Sequence, residues 1–366
     1  MKRKIGLLTM PLLDNYGGII QIAALYHIIE SYGFQPVLIN KRYNQTKVKT
    51  ILKFIIENNP FYSLYDYNNA VSRKKNLTKI TSFIDSYFVN KTKPLYNQKD
   101  LENFSKNVDA VIVGSDQVWR YAYVKNNYKH YFLNFVDDKT DKIAYAASFG
   151  VDYWEGNEKT VTDVKSLLKN FKAVGVREDI GEVICKNTFD YHNAKHVLDP
   201  TLLPHIDFYN SLIAKEKISK KVSLFNYVLD RSEAKQNIVK NIASKKGLEI
   251  NVIGLGNNIK NEIKPSLAEW LYHFKNSDFV VTDSFHGTVF SIIFNKQFIA
   301  IGNKTRGTAR FTSLLNIFGL ESRLVFEEEL NSLDSIIENK IDYSSVNEIL
   351  SKEREKSLNF LLESLK

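Results

Sequence analysis

DFVVTDSFHGTVFSIIFNKQFIAIG (278–302) is the stretch whose reading decides the fold. An apolar run of strand length meets Thr282, Asp283, Ser284, Phe285, His286 and Gly287, and apolar residues then resume at helical spacing. A second short apolar run, QFIAIG (297–302), follows directly. Strand, polar turn, helix and strand in that order form a βαβ unit of a parallel sheet. Asp283 or Ser284 at the helix start is explained by capping alone. An acid and a histidine at the carboxyl end of such a strand are also what an active site would contain.

The same alternation spreads in both directions. KIGLLTM (4–10) reads as a strand, followed by a glycine-containing loop, a helix from about Ile19 to Tyr32 and the strand PVLIN (36–40). Residues 43–105 form a polar and aromatic insertion with helical periods. VDAVIVGS (108–115), KIAYAASFG (142–150) and FKAVGVRE (171–178) are further strands. A second series contains VSLFNYVL (222–229) and LEINVIG (248–254), with helices over 232–246 and 266–275. The pattern predicts an α/β protein of two Rossmann-like, doubly wound domains facing a cleft. We assign residues 1–205 to the first domain and 206–345 to the second, with a terminal helix (346–366) packing back on the first.

Composition narrows the function classes. The chain has 366 residues, too many for one ordinary core. A single cysteine, Cys185, excludes an intramolecular disulfide and fits a reducing compartment. The N-terminal apolar run is short and broken by Pro11, unlike a signal peptide, and no apolar stretch is long enough to span a bilayer. The expected location is therefore the cytoplasm. The net charge of +9 comes from scattered lysines with no nucleic-acid signature, which favours an anionic substrate or an anionic membrane surface over nucleic acid.

Polar residues gather where strands end. In LLDNYGGIIQ (12–21), Gly17 and Gly18 let backbone approach a ligand at a helix N-terminus; alternatively, Asp14 or Asn15 caps the helix and the glycines ease a turn. The spacing is neither a Rossmann fingerprint nor a Walker loop. In VDAVIVGSDQVWR (108–120), Asp116, Gln117 and Trp119 are groups that hydrogen-bond and stack on a sugar, whereas capping explains only Ser115 or Asp116. Arg177 in VGVRED (174–179) suits bidentate binding of carboxylate or phosphate, or else a surface ion pair with its acidic neighbours. Asp199–Pro200 in HVLDPTLL reads as a turn former. Lys304, Arg306 and Arg310 in IGNKTRGTARFTSLL (301–315) follow the strand after His286 and open on the same sheet edge. An acid–base group beside cations suits an anionic substrate.

Taken in order, NYGGIIQIAAL (15–25), VGSDQVW (113–119), IAYAASFG (143–150), VGVRED (174–179), VLDPTLL (197–203), TDSFHGTVFSIIF (282–294) and RFTSLL (310–315) resemble the polysaccharide pyruvyl transferase family. The resemblance runs from about Lys4 to Arg323. It implies a GT-B-like fold, with the acceptor on the N-terminal domain and the donor on the C-terminal one. It also implies transfer of the enolpyruvyl group of phosphoenolpyruvate to a hexose, commonly galactose as a 4,6-ketal, in a surface or capsular polysaccharide precursor.

Phosphoenolpyruvate is then a co-substrate, with no cofactor and no metal required. Its phosphate and carboxylate are expected on Arg177, Ser284, Lys304, Arg306 and Arg310. His286 is the expected acid–base group, and Asp116 and Asp283 are candidate bases for the sugar hydroxyls. Asn15, Gly17, Gly18, Gln21, Gln117 and Trp119 are expected to hold the acceptor. A lipid-linked acceptor and peripheral contact with the inner membrane face also follow from the resemblance. Many members carry Arg-Leu-His-Gly where this chain has Ser284-Phe285-His286-Gly287, so either Arg306 or Arg310 replaces that arginine or the donor differs. A GT-B glycosyltransferase using a sugar nucleotide is the alternative, and a non-catalytic carbohydrate-binding protein is a third reading.

Overall fold

The computed structural model describes residues 2–43, 77–253, 264–302, 307–327 and 333–366. Two wholly parallel sheets organise the chain. The first has the order β2-β1-β3-β4-β5-β6, where β1 is Lys4–Leu8, β2 Gln35–Leu38, β3 Ala110–Gly114, β4 Asp141–Ala147, β5 Ala173–Val176 and β6 Ala194–His196. The second runs β11-β10-β9-β7-β8, with β7 at Leu224–Tyr227, β8 at Ile250–Val252, β9 at Phe279–Thr282, β10 at Gln297–Ile301 and β11 at Leu324–Val325. Continuous apolar strands such as AVIVG in β3 are buried along their whole length, as strands covered on both faces require.

In both sheets the winding direction reverses beside the first strand, between β1 and β3 and between β7 and β9. Such reversals open a crevice at the carboxyl ends of the strands. The polar segments after β1 and β3, and the one after β9, lie at these two crevices.

The helix expected from Ile19 begins earlier and spans Tyr16–Ser31, taking both glycines into its first turn. Of the expected insertion, residues 44–76 lie outside the described residues, and 77–87 are helical. Strands β6 and β11, too short to register as apolar runs, close one edge of each sheet.

One apolar core joins the two halves, through Tyr16, Leu202, Tyr209, Trp270, Phe290 and Leu361. Separate cores cover the outer face of each sheet. Tyr16 stacks on Trp270 at 5.5 Å and donates its hydroxyl to the Pro265 carbonyl at 2.6 Å. Asp14 pairs with Lys264 at 3.0 Å. The Tyr343–Ser364 helix lies against the first half: Leu198 N–H donates to Ser357 Oγ at 3.0 Å, and Arg354 Nε donates to the Leu202 carbonyl at 2.8 Å.

Candidate active site

The end of β9 delivers His286. Ser284 is the N-cap of the Phe285–Ile293 helix and its Oγ accepts from Gly287 N–H at 3.3 Å. The side chain two positions on is thereby aimed across the junction of the halves. There the imidazole packs on the first turn of the Tyr16–Ser31 helix, where a Cβ on Gly17 would stand only 2.1 Å from His286 Nδ1. Gly17 is therefore a close-approach glycine that seats the imidazole.

The other side of His286 meets a buried charge network from the first sheet. Its Nε2 lies 3.7 Å from Asp199 Oδ2, too far for a hydrogen bond. Asp199 accepts from Ser115 Oγ (2.8 Å) and Arg177 Nη1 (3.1 Å), while its other oxygen accepts from the Thr201 amide and hydroxyl. Arg177 Nε donates to Glu178 Oε1 at 3.1 Å, and Ser148 Oγ donates to the same oxygen at 2.6 Å. Left-handed Ala146, at a register shift in β4, immediately precedes the segment that carries Ser148.

Asp199 is thus a member of the site, not only the turn former its Asp-Pro context suggested. Glu178 was missed for a similar reason: beside Arg177 it reads as half of a surface pair, yet both are buried.

Electrostatics follow from burial. Desolvation presses the His286 pKa below its ordinary value, against the pull of Asp199 and Asp116 and with the push of Arg177 and Arg310. Burial works against the Arg177 charge, but Glu178, Asp199 and Asp116 outweigh it and hold the guanidinium firmly protonated. Burial also opposes ionisation of Asp199, and His286, Arg177 and Thr201 outweigh it, so this carboxyl stays ionised. Burial and then Arg177 press Arg310 down to about 10, still charged at neutral pH.

Phe285 sits at the centre. The Arg177 guanidinium lies 4.4 Å from its ring centroid, Arg310 5.9 Å and the His286 ring 5.3 Å. Around it, Arg177 Nη2, Arg310 Nε and His286 Nε2 are buried with no hydrogen-bond partner among the described residues. Arg177 is paired with two carboxylates, whereas Arg310 makes no ion pair among the described residues. Arg306 and Lys304 lie outside the described residues.

A cavity of about 260 Å³ opens at the ends of β1 and β3. Asn15, Gly18, Asp116 and Gln117 line it, facing the apolar loop Met10–Leu13 and the rings of Tyr43 and Tyr123. Asn15 occupies the helix N-cap position without a capping side-chain bond; its amide instead reaches Asp116 Oδ2 at 3.5 Å. The capping explanation for Asp14 and Asn15 therefore does not hold. Asp116 adopts φ 73°, a left-handed conformation that costs a non-glycine residue energy and turns its carboxylate toward this cavity.

Three expected roles are corrected. Trp119 is wholly buried, stacked on Phe132 at 4.8 Å with Nε1–H donating to the Tyr131 carbonyl, so it cannot meet a sugar. Gln21 is equally buried and donates to Thr9 Oγ1 and the Gly18 carbonyl, bracing the helix start. Asp283 is saturated by Leu229 N–H, Asp230 N–H and Lys235 Nζ, with 2.8 Å to the ammonium. It organises the end of β7 and is not available as a base. The signal that would have exposed it is Lys235, a lysine on the inner side of the Glu233–Lys246 helix.

The sequence matches the profile of the polysaccharide pyruvyl transferase family over residues 15–305. The chain belongs to that family. No curated protein sequence matches it. Among solved structures, UDP-N-acetylglucosamine 2-epimerase from Rickettsia bellii is similar over 99% of this chain and 97% of its own, at 10% identity and a TM-score of 0.51. UDP-GlcNAc 2-epimerase from Neisseria meningitidis, bound to UDP-GlcNAc, is similar over 99% of both chains, at 9% identity and a TM-score of 0.51. These likenesses show the GT-B fold of this polysaccharide pyruvyl transferase family member. No described helix is long and apolar enough to cross a membrane.

Proposed function

We propose that this family member transfers the enolpyruvyl group of phosphoenolpyruvate to a hexose of a polysaccharide precursor, forming a 4,6-ketal, with galactose as the first acceptor to test. The carrying observation is the set of unpartnered buried polar atoms around Phe285: Arg177 Nη2, Arg310 Nε and His286 Nε2. Leaving a buried polar group unmet costs about 1–3 kcal/mol, and an anion carrying both phosphate and carboxylate would satisfy all three.

The proton balance assigns the roles. A protonated His286 gives its proton to the methylene carbon, leaving an oxocarbenium-like centre at C2. One hexose hydroxyl adds there and loses its proton to Asp116. The second hydroxyl displaces phosphate and closes the ketal; its proton returns to His286, and Asp116 passes the first hydroxyl's proton to the departing phosphate, which leaves as hydrogen phosphate. Free His286 is held neutral by burial; a bound phosphate dianion raises its proton affinity, so the acid is armed when the donor arrives. The acceptor fits the cavity between Asp116, Asn15, Gln117 and the two tyrosines. A peripheral location at the membrane and a lipid-linked acceptor remain part of this proposal.

The test is direct. Protein, phosphoenolpyruvate and a methyl galactoside should release phosphate and yield a product heavier by the pyruvyl ketal. Product formed only with a sugar nucleotide would replace this reading with glycosyl transfer.

A further inference from the structure

A second cavity, of about 200 Å³, lies on the other side of the Met10–Leu13 loop, at the ends of β1 and β2. Thr9, Asn40, Lys41, Arg42 and Lys91 contribute to its lining. The two cavities adjoin, sharing the wall Met10–Leu13. Lys91 is neutralised by Asp85. Lys41 and Arg42 meet no carboxylate among the described residues.

Lys41 is unusual for a lysine, being 1% exposed. Its ammonium donates to Asn127 Oδ1 at 3.3 Å and lies over the rings of Tyr43 (4.9 Å) and Tyr131 (5.8 Å). An ammonium has three N–H donors, and this one has a single acceptor among the described residues. Burial pushes it down to about 8, and it in turn helps hold His130 down to about 4. A desolvated charge kept on aromatic faces without a counter-ion is costly by itself and gains strongly from an anion. Arg42 stands beside it, with Nε donating to Asn40 Oδ1 at 2.9 Å and Nη1 close to the Leu12 carbonyl of the shared wall.

We propose that this cavity, with Lys41 and Arg42 as its cations, receives an anionic group carried by the acceptor, a carboxylate or a phosphate adjoining the hexose that is modified. The inference deepens the acceptor assignment above and rests on it. An acidic acceptor would bind across both cavities, its neutral ring against Tyr43 and Asp116 and its anion beside Lys41.

Calorimetry without phosphoenolpyruvate tests this, at constant ionic strength, using a methyl hexoside, the matching hexuronate and the matching hexose 1-phosphate. At least one anionic probe should bind at least about tenfold tighter than the neutral one. Which anion gains more separates a carboxylate source from a phosphate source. Lys41→Met should erase the advantage, whereas Arg310→Ala, which disables the donor site, should leave it. Equal binding of neutral and anionic probes overturns the proposal, as does an advantage lost in Arg310→Ala and kept in Lys41→Met.

Should Lys41→Met not fold, Arg42→Gln gives a second readout at the other cation of the cavity. It should reduce the preference for the anionic probe at least about threefold, and an unchanged preference overturns the proposal. Phosphate release from phosphoenolpyruvate is scored separately. Its absence with the Lys41-dependent anion preference intact would remove the transfer reading and leave the anion site.

Discussion

His286 Nε2 and Asp199 Oδ2 face each other at 3.7 Å across the junction of the two sheets. The imidazole comes from β9 and the carboxylate from the end of β6, so neither half contains the pair. Asp199→Asn removes the charge that opposes desolvation of the imidazolium. Turnover should fall by about 10²-fold with donor KM little changed, while His286→Gln should lose at least that much with the fold retained. By NMR, phosphoenolpyruvate should raise the His286 pKa in the native protein and less so in Asp199→Asn. An unshifted His286 on donor binding would sink its role as the acid.

Arg310 and Arg177 should behave differently although both flank Phe285. Arg310 makes no ion pair among the described residues, so Arg310→Ala should raise donor KM about tenfold or more and leave the melting temperature nearly unchanged. Arg177→Met strands Glu178 and Asp199 as buried carboxylates. That costs about 3–5 kcal/mol of stability, visible in denaturant unfolding before any kinetic measurement.

Gly17→Ala tests the seat of the imidazole. A methyl group 2.1 Å from Nδ1 must displace the ring, so kcat should drop by about 10²-fold with a smaller effect on acceptor KM. Gly18→Ala, whose Cβ would stand 3.0 Å from the Asn15 amide, should instead disturb acceptor KM. Equal kinetic changes in the two variants would contradict this division.

Stability should decline in mild acid. Burial lowers the pKa of His130, His273, His27 and His286 below the ordinary 6.5, with His130 at about 4. The unfolded chain therefore binds protons first. The contribution is fully present above pH 6.5 and is lost progressively as the pH falls toward 4. Melting midpoints between pH 7 and 5 should fall, and His130→Gln should flatten the slope.

The strand–turn–helix alternation carried both sheets, because strands buried on two faces leave long apolar runs that periodicity can read. It also placed His286, Asp116 and Arg177 at strand ends. What stayed hidden was which strand-end side chain faces the cleft. Asp283 and Asp199 look alike in sequence, each just after a strand, yet Lys235 saturates the first and His286 confronts the second. Trp119 follows the polar SDQ turn, but the cluster of Phe132, Phe149 and Phe171 takes it inward. Such choices depend on partners distant in the chain.

The segment behind Asp199 has one more implication. Leu198, its neighbour, donates its amide to Ser357 in the last long helix, well beyond residue 305 where the family match ends. The backbone that aims an active-site carboxylate is therefore pinned from behind by residues that no family motif marks. Exchanging that helix between relatives would retune the acid from outside the pocket, leaving every substrate-facing side chain as it was.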